Sequence, residues 1–247
     1  MNFKRHSEVN MDRPFWFSVL AFGFSIFFAG CSNTETSNIV SSETIDALQI
    51  ASFPTQIDNN CRDGKAEIFD ECSEQTELFA RASIRAKAEG KIVLVSYGAE
   101  WCIWCHVFDA YINGDMTRFT YTYGEAGNDE RYTHTMRERE KRDVSQEAYE
   151  LKKFVSENFV VAHIDYEHSP DGDDVLSNAE AWEHYEGWVP YIFVVDSLGK
   201  YAAKFNHDEA EVRRDTLDWY RGYDRVLLLQ QLKNMHGIAT ASSGRLE

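Results

Sequence analysis

Lys91-Ile-Val-Leu-Val-Ser-Tyr-Gly-Ala-Glu-Trp-Cys-Ile-Trp-Cys-His106 carries the reading of this chain. The β-branched, apolar run from Lys91 to Tyr97 has strand length and the character of a strand buried on both faces. A Cys-x-x-Cys pair follows at once, where a helix from about Cys102 to Ile112 should begin. A helix N-terminus offers unpaired backbone N–H groups and a positive dipole end, and both stabilise a thiolate at Cys102. One helical turn brings Cys105 within reach of a mixed disulfide formed on Cys102. The pattern points to Cys102 as nucleophile and Cys105 as resolving thiol. It needs no cofactor beyond the Cys102–Cys105 disulfide, and no metal.

Working outward, Leu78, Phe79, Ala82 and Ala86 recur at helical spacing before a Gly90 stop, which predicts a helix over about 73–88. Phe119, Tyr121 and Tyr123 alternate with Thr, and Tyr132, His134 and Met136 alternate again after a turn. That predicts a β-hairpin within an insertion of about 113–144. Its aromatics either contact a partner or pack its own inner face. Arg137 to Arg142 reads as a solvated face. Ser145 is a candidate N-cap for a helix to about Asn158, followed by a strand from Phe159 to Asp165. An acidic loop, Asp171 to Asp174, precedes a helix expected to end near Gly187. Tyr191 to Asp196 and Tyr201 to Phe205 read as a strand pair, and a last helix holds Val226, Leu227, Leu229 and Leu232. Strands alternating with helices, then a terminal hairpin and helix, imply an α/β sandwich on a mixed sheet.

The chain has 247 residues, 43% of them hydrophobic, enough for one sizeable core. Its net charge of -16 repels phosphate backbones and excludes nucleic acid as a natural partner. Pro14 to Gly30 is uncharged and rich in Phe, and follows the basic Lys4, Arg5 and Arg13. It is shorter than the roughly 20 residues of a membrane-spanning helix and has the layout of a secretory signal peptide over 1–30. The Ala29-Gly30-Cys31 ending resembles the bacterial lipobox, with Phe28 where Leu is usual. The resemblance implies that Cys31 becomes the lipidated first residue. The alternatives are an uncleaved anchor or an ordinary buried segment. Lipoprotein and anchor alike imply an exported domain on the periplasmic face of a membrane. Ser32 after Cys31 is compatible with outer-membrane sorting. Residues 1–30 carry a net charge of +1, which leaves -17 on the remainder. Residues 31–60 read as a flexible tether, or as an arm docked through Ile45, Leu48, Ile50 and Phe53. A Cys-flanked segment spans 61–73, the main domain 74–236 and a tail 237–247.

The strand leading into Ala99-Glu-Trp-Cys-x-x-Cys105, together with Val189-Pro190 before the strand Tyr191 to Val195, resembles the thioredoxin superfamily. The likeness covers roughly Glu74 to Met235. It is nearer to exported disulfide-processing domains than to small cytosolic thioredoxin. It implies a thioredoxin-like sandwich, a cis peptide before Pro190 beside the cysteines, and a client groove shaped by Pro190, with the Val189 backbone pairing to protein thiol or disulfide clients. A redox partner is implied as well. Trp101, Trp104, Trp188 and Tyr191 are expected as an aromatic rim, with packing as the other role for Trp101 and Trp188. This sequence departs from the family pattern in three places. The buried acid of the first strand falls at Ser96, the residues between the cysteines are Ile103-Trp104, and Tyr191 follows the proline. The direction of exchange therefore does not follow from the resemblance.

Other chemistries share these residues. Cys102-x-x-Cys105-His106 also spells the c-type haem attachment pattern, with His106 and Met116, Met136 or Met235 as axial ligands. Zinc would want four ligands, and one Cys pair stands here. His106, four residues after Cys102, either tunes the thiolate or shuttles a proton, or is a partly exposed helix residue. Cys61 and Cys72 read as a structural disulfide in an oxidising compartment, or as a second redox pair. Asp165, Glu167, Asp171, Asp173 and Asp174 lack the calcium-loop spacing and read as a solvated acidic loop. A non-catalytic module that binds a partner through the same groove is the other class of function.

Overall fold

The structure, a computed structural model, describes residues 42–62, 64–115, 119–123, 132–136, 146–214 and 220–243. The proposed signal segment, Cys31, Met116, Arg137 to Arg142 and Ser145 lie outside the described residues. In chain order the elements are α1 (Ser42–Asp46), β1 (Ala51–Phe53), α2 (Gln75–Glu89), β2 (Ile92–Gly98), α3 (Ile103–Ile112), β3 (Phe119–Tyr123), β4 (Tyr132–Met136), α4 (Gln146–Asn158), β5 (Phe159–Asp165) and α5 (Gly172–Asn178). After a 3₁₀ turn (Trp182–His184) come β6 (Tyr191–Val195), β7 (Tyr201–Lys204), α6 (His207–Ala210), β8 (Glu211–Arg214), β9 (Tyr220–Tyr223) and α7 (Arg225–Ser243).

Five strands form one mixed sheet in the order β1-β5-β2-β6-β7. β1, β5 and β2 run parallel, while β6 and β7 are antiparallel to their neighbours. β2 and β5 are buried along their whole length, as their unbroken apolar runs predict. Alternation divides their side chains between two cores. Ile92, Leu94, Phe159 and Val161 face α3, α4 and α7, while Val93, Val95, Tyr97, Val160, Ala162 and Ile164 face α2 and α5. The architecture is a mixed α/β sandwich compatible with a thioredoxin-like fold.

Several boundaries differ from the sequence expectation. Of the two readings of 31–60, the described part from 42 follows the docked arm and not the tether, with Ile50 and Phe53 packed against the two cores. Ile45 is buried, and β1 pairs with β5 from Ala51↔Val160 to Phe53↔Ala162, so the free edge of β5 is covered. The tail expected from 237 begins later, because α7 continues to Ser243. Leu228, Leu232, Met235 and Ala239 recur on one face of that helix and are buried together. α5 stops at Asn178 rather than near Gly187. Glu180 takes a left-handed φ of 57°, which a continuing helix cannot accommodate. β8 and β9, with little alternation in sequence, pair as a ribbon that buries Tyr223 in the core. β3 and β4 pair antiparallel from Phe119↔Met136 to Tyr123↔Tyr132.

Candidate functional site

β2 delivers the chain to the edge of the sheet at Gly98, and a tight turn then starts α3. Cys102 is the N-cap of α3 in extended geometry, and its Sγ accepts the Cys105 N–H at 3.3 Å. The Cys102 carbonyl accepts the same N–H at 2.9 Å and that of His106 at 3.3 Å. The first turn of α3 contains no acidic residue to oppose a thiolate. Cys102 and Cys105 are joined as a disulfide, their Cα atoms 5.3 Å apart. Cys105 is fully buried, and Cys102 keeps 4% of its surface exposed, so an approaching group reaches Cys102.

Phe69 is completely buried against this pair, with Ile68, Trp104 and Val189 packed beside it. The loop bearing Phe69 is closed by a second disulfide, Cys61–Cys72. Glu100 clamps the same loop: its Oε2 accepts the Ile68 N–H at 3.2 Å and the Phe69 N–H at 3.0 Å. Sequence reasoning missed Phe69, Ile68 and Glu100. The only local signal was a carboxylate two residues before a helix-capping cysteine, and what it binds lies 31 residues away in the chain.

The Val189–Pro190 peptide is cis, Pro190 is buried, and Val189 lies against the cysteine cluster. Trp101 and Trp188 are 41% and 79% exposed, so neither is core packing. The rest of the expected rim is corrected. Tyr191 is 6% exposed and belongs to the core on the α2 side, its hydroxyl donating to the Ala181 carbonyl at 3.2 Å. Strand alternation turns it away from the cysteines. Trp104 leans inward, its ring centroid 5.4 Å from that of Tyr223 and the Arg213 guanidinium 5.8 Å from it. Ile103 packs on the α7-side core.

His106 is buried rather than partly exposed. Its Nε2 faces the Glu100 carbonyl at 2.7 Å and Glu100 Oε1 at 3.2 Å. Burial pushes its imidazolium down, but the hydrogen bonds and charge of Glu100, with the charge of Glu67, outweigh burial and raise its pKa above the ordinary 6.5. A haem axial role would require breaking that contact, and Met235 is buried in the α7-side core. The side chain of Met136 is not described. Among the described residues no group of His, Cys, Asp and Glu is arranged to hold a metal ion.

The acidic loop is not simply solvated. Asp165 accepts the backbone N–H groups of His168 and Ser169. Asp173 accepts the Tyr97 hydroxyl. Asp171 binds the first two N–H groups of α2, Gln75 at 2.8 Å and Thr76 at 2.9 Å, and serves as a cap supplied from a distant loop. Another missed residue, His207, lies at the Pro190 backbone. Burial holds its pKa down at about 4 against the opposing effects of the Pro190 carbonyl and Asp208. No protein-family model matches this chain, and no curated protein matches it.

Proposed function

We propose that this protein is an exported, lipid-anchored thiol–disulfide oxidoreductase of the thioredoxin-like kind, acting on protein disulfides through Cys102 and Cys105. The observation that carries the reading is the sulfur of Cys102 at the N-cap of α3, accepting the Cys105 N–H while bonded to Cys105. A thiolate at Cys102 keeps that N–H and the helix dipole as stabilising partners. The cis Val189–Pro190 segment beside it and the exposed Trp101 and Trp188 supply a surface for an extended client.

In the reducing direction, the Cys102 thiolate attacks a client disulfide and releases one client thiolate. A mixed disulfide remains on Cys102. Cys105 then attacks Cys102 Sγ, the Cys102–client bond breaks, and the second client thiolate leaves. The client gains two electrons and the cysteine pair loses them, so a dithiol redox partner must reset the pair. The oxidising direction runs the same steps backward. The Cys61–Cys72 bridge closes the loop that presses Phe69 on the site and is assigned a structural role. Lipidation at Cys31 would hold the domain at the periplasmic face of the membrane.

The test equilibrates the full chain, in detergent, against glutathione buffers, with alkylation and mass assignment of each thiol. Family potentials run from about −270 mV for thioredoxin to about −120 mV for a strong periplasmic oxidant. A Cys102–Cys105 value near the low end identifies a reductase, and one near the high end an oxidase or isomerase. A pair that never cycles overturns the reading in favour of a non-catalytic binding module.

A further inference from the structure

Three buried polar atoms without a hydrogen-bond partner among the described residues lie on one face of two neighbouring strands: Ser96 Oγ on β2, and His163 Nδ1 and Asp165 Oδ1 on β5. All three residues are at least 96% buried by surface area. Ser96 and His163 are register partners, and Gly98 and Asp165 form the next such pair. Alternation puts all of them on the face that Leu94 and Val161 share, toward α3. An unpartnered buried polar atom keeps its desolvation cost with nothing to offset it, so a cluster of them calls for an explanation.

The cluster lies beneath the resolving cysteine. Cys105 Sγ rests on Gly98, where an added Cβ would meet it at 2.5 Å. Gly98 is the diagonal neighbour of His163 across strands roughly 4.8 Å apart. From above, His163 Nε2 is 3.3 Å from Asp109 Oδ1. Asp109 follows Cys105 by one turn of α3, on the same helical face. Phe69 touches both ends, edge-on to the His163 ring with centroids 5.6 Å apart and packed against the cysteines.

We propose that His163, held by Asp109, is the proton-exchange group for the Cys105 thiol. The inference rests on the oxidoreductase reading above. A fully buried thiol must lose a proton before it attacks, and apolar burial favours its neutral form. Imidazole both takes up and returns a proton near neutral pH. In the resolving step the Cys105 proton passes to the imidazole, whose unpartnered Nδ1 shares this buried face with Ser96 Oγ and Asp165 Oδ1. The sulfur pair forms the bond to Cys102 Sγ, the Cys102–client bond breaks, and the departing client thiolate takes a proton from solvent. Asp109 balances the imidazolium until it releases its proton in the next half-reaction. The titratable and charged groups of the elements packed around His163 are Asp109 on α3, Asp165 on β5 with His168 and Glu167 acting on it, Glu67, Asp70 and Glu71 on the Phe69 loop, and the Glu100–His106 pair that holds that loop. β1 offers none, and Tyr97 of β2 lies on the opposite face.

The test uses the full chain in detergent, reduced and then mixed with glutathione disulfide. Acid quench and mass analysis follow the Cys102–glutathione adduct from pH 5 to 9. In the unmodified protein the adduct forms and decays with a sigmoid pH profile. His163→Gln is expected to slow decay at pH 7 by at least tenfold and to leave a rate that climbs with hydroxide across the whole range. If no adduct forms in the unmodified protein, the oxidoreductase reading fails. If adducts form and both proteins decay with one profile, only the role of His163 fails. A second measurement needs no variant: His163 ring signals are titrated by NMR in the disulfide and dithiol forms. Coupling to the Cys105 proton requires the two titrations to differ, and superimposable curves overturn the proposal.

Discussion

Cys105 Sγ occupies the space where a side chain at Gly98 would have to go, 2.5 Å from an added Cβ, with Phe69 Cζ only 3.1 Å from the same point. Gly98→Ala must therefore displace the disulfide or the ring that covers it. Overpacking of a tight core costs roughly 1–3 kcal/mol. The expected outcome is a lower urea midpoint for the oxidised protein, with an increased fraction of free thiol at a fixed glutathione ratio. An unchanged midpoint and unchanged thiol fraction would mean that this contact relaxes freely.

Glu100 ties the Phe69 loop and His106 to one carboxylate. Because the His106 pKa is raised on folding, its contribution to stability is fully present below about 6.5 and is lost as pH rises through the raised value. Glu100→Gln keeps a carbonyl for the loop N–H groups but removes the charge. The expected loss is about 1–2 kcal/mol at pH 5.5, shrinking toward pH 9. Urea denaturation at the two pH values checks it, and an equal loss at both would contradict the coupling.

Trp101 and Trp188 stand 41% and 79% exposed beside buried cysteines. The double change to Ala is expected to leave stability within about 0.5 kcal/mol, as surface substitutions do. KM for an unfolded, disulfide-bonded client should rise several-fold. Steady-state kinetics with a scrambled protein substrate reads this directly, and an unaltered KM removes both residues from client contact.

Asp171 is held by hydrogen bonds at the start of α2. Burial alone would raise its pKa, but the Thr76 hydroxyl and the N–H groups of Thr76 and Gln75, with the Ser169 hydroxyl, bring it down to about 2. A depressed carboxylate stabilises the fold above the unfolded value near 3.8 and loses that effect as pH falls toward 2. Asp171→Asn replaces one of two accepting carboxylate oxygens by an amide NH2 and removes the charge, and should cost about 1–2 kcal/mol at pH 7. The difference should vanish for native against variant protein at the acid end of a pH–stability series.

The strands Ile92–Gly98 and Phe159–Asp165 were legible because a central strand writes its burial into an unbroken apolar run. The helix periodicity of Leu78, Ala82 and Ala86 and the cysteine spacing were legible for the same local reason. β8 and β9 were not, because a short charged ribbon has no alternation to read. The three-residue strand Ala51–Phe53 draws its stability from the open edge of β5, and its composition resembles a linker.

Local sequence by itself determined the central strands, α2 and α3, and the placement of Cys102 at a helix start. Each depends on residues within a few positions of one another. Only the tertiary structure decided what surrounds the sulfur atoms. Phe69 and Glu100 meet there across 31 residues, His163 comes under α3 by strand register, and Tyr191 is turned into the opposite core. The physical reason is that register and packing bring together groups far apart in the chain, and no local periodicity encodes which distant partner a buried polar side chain will find.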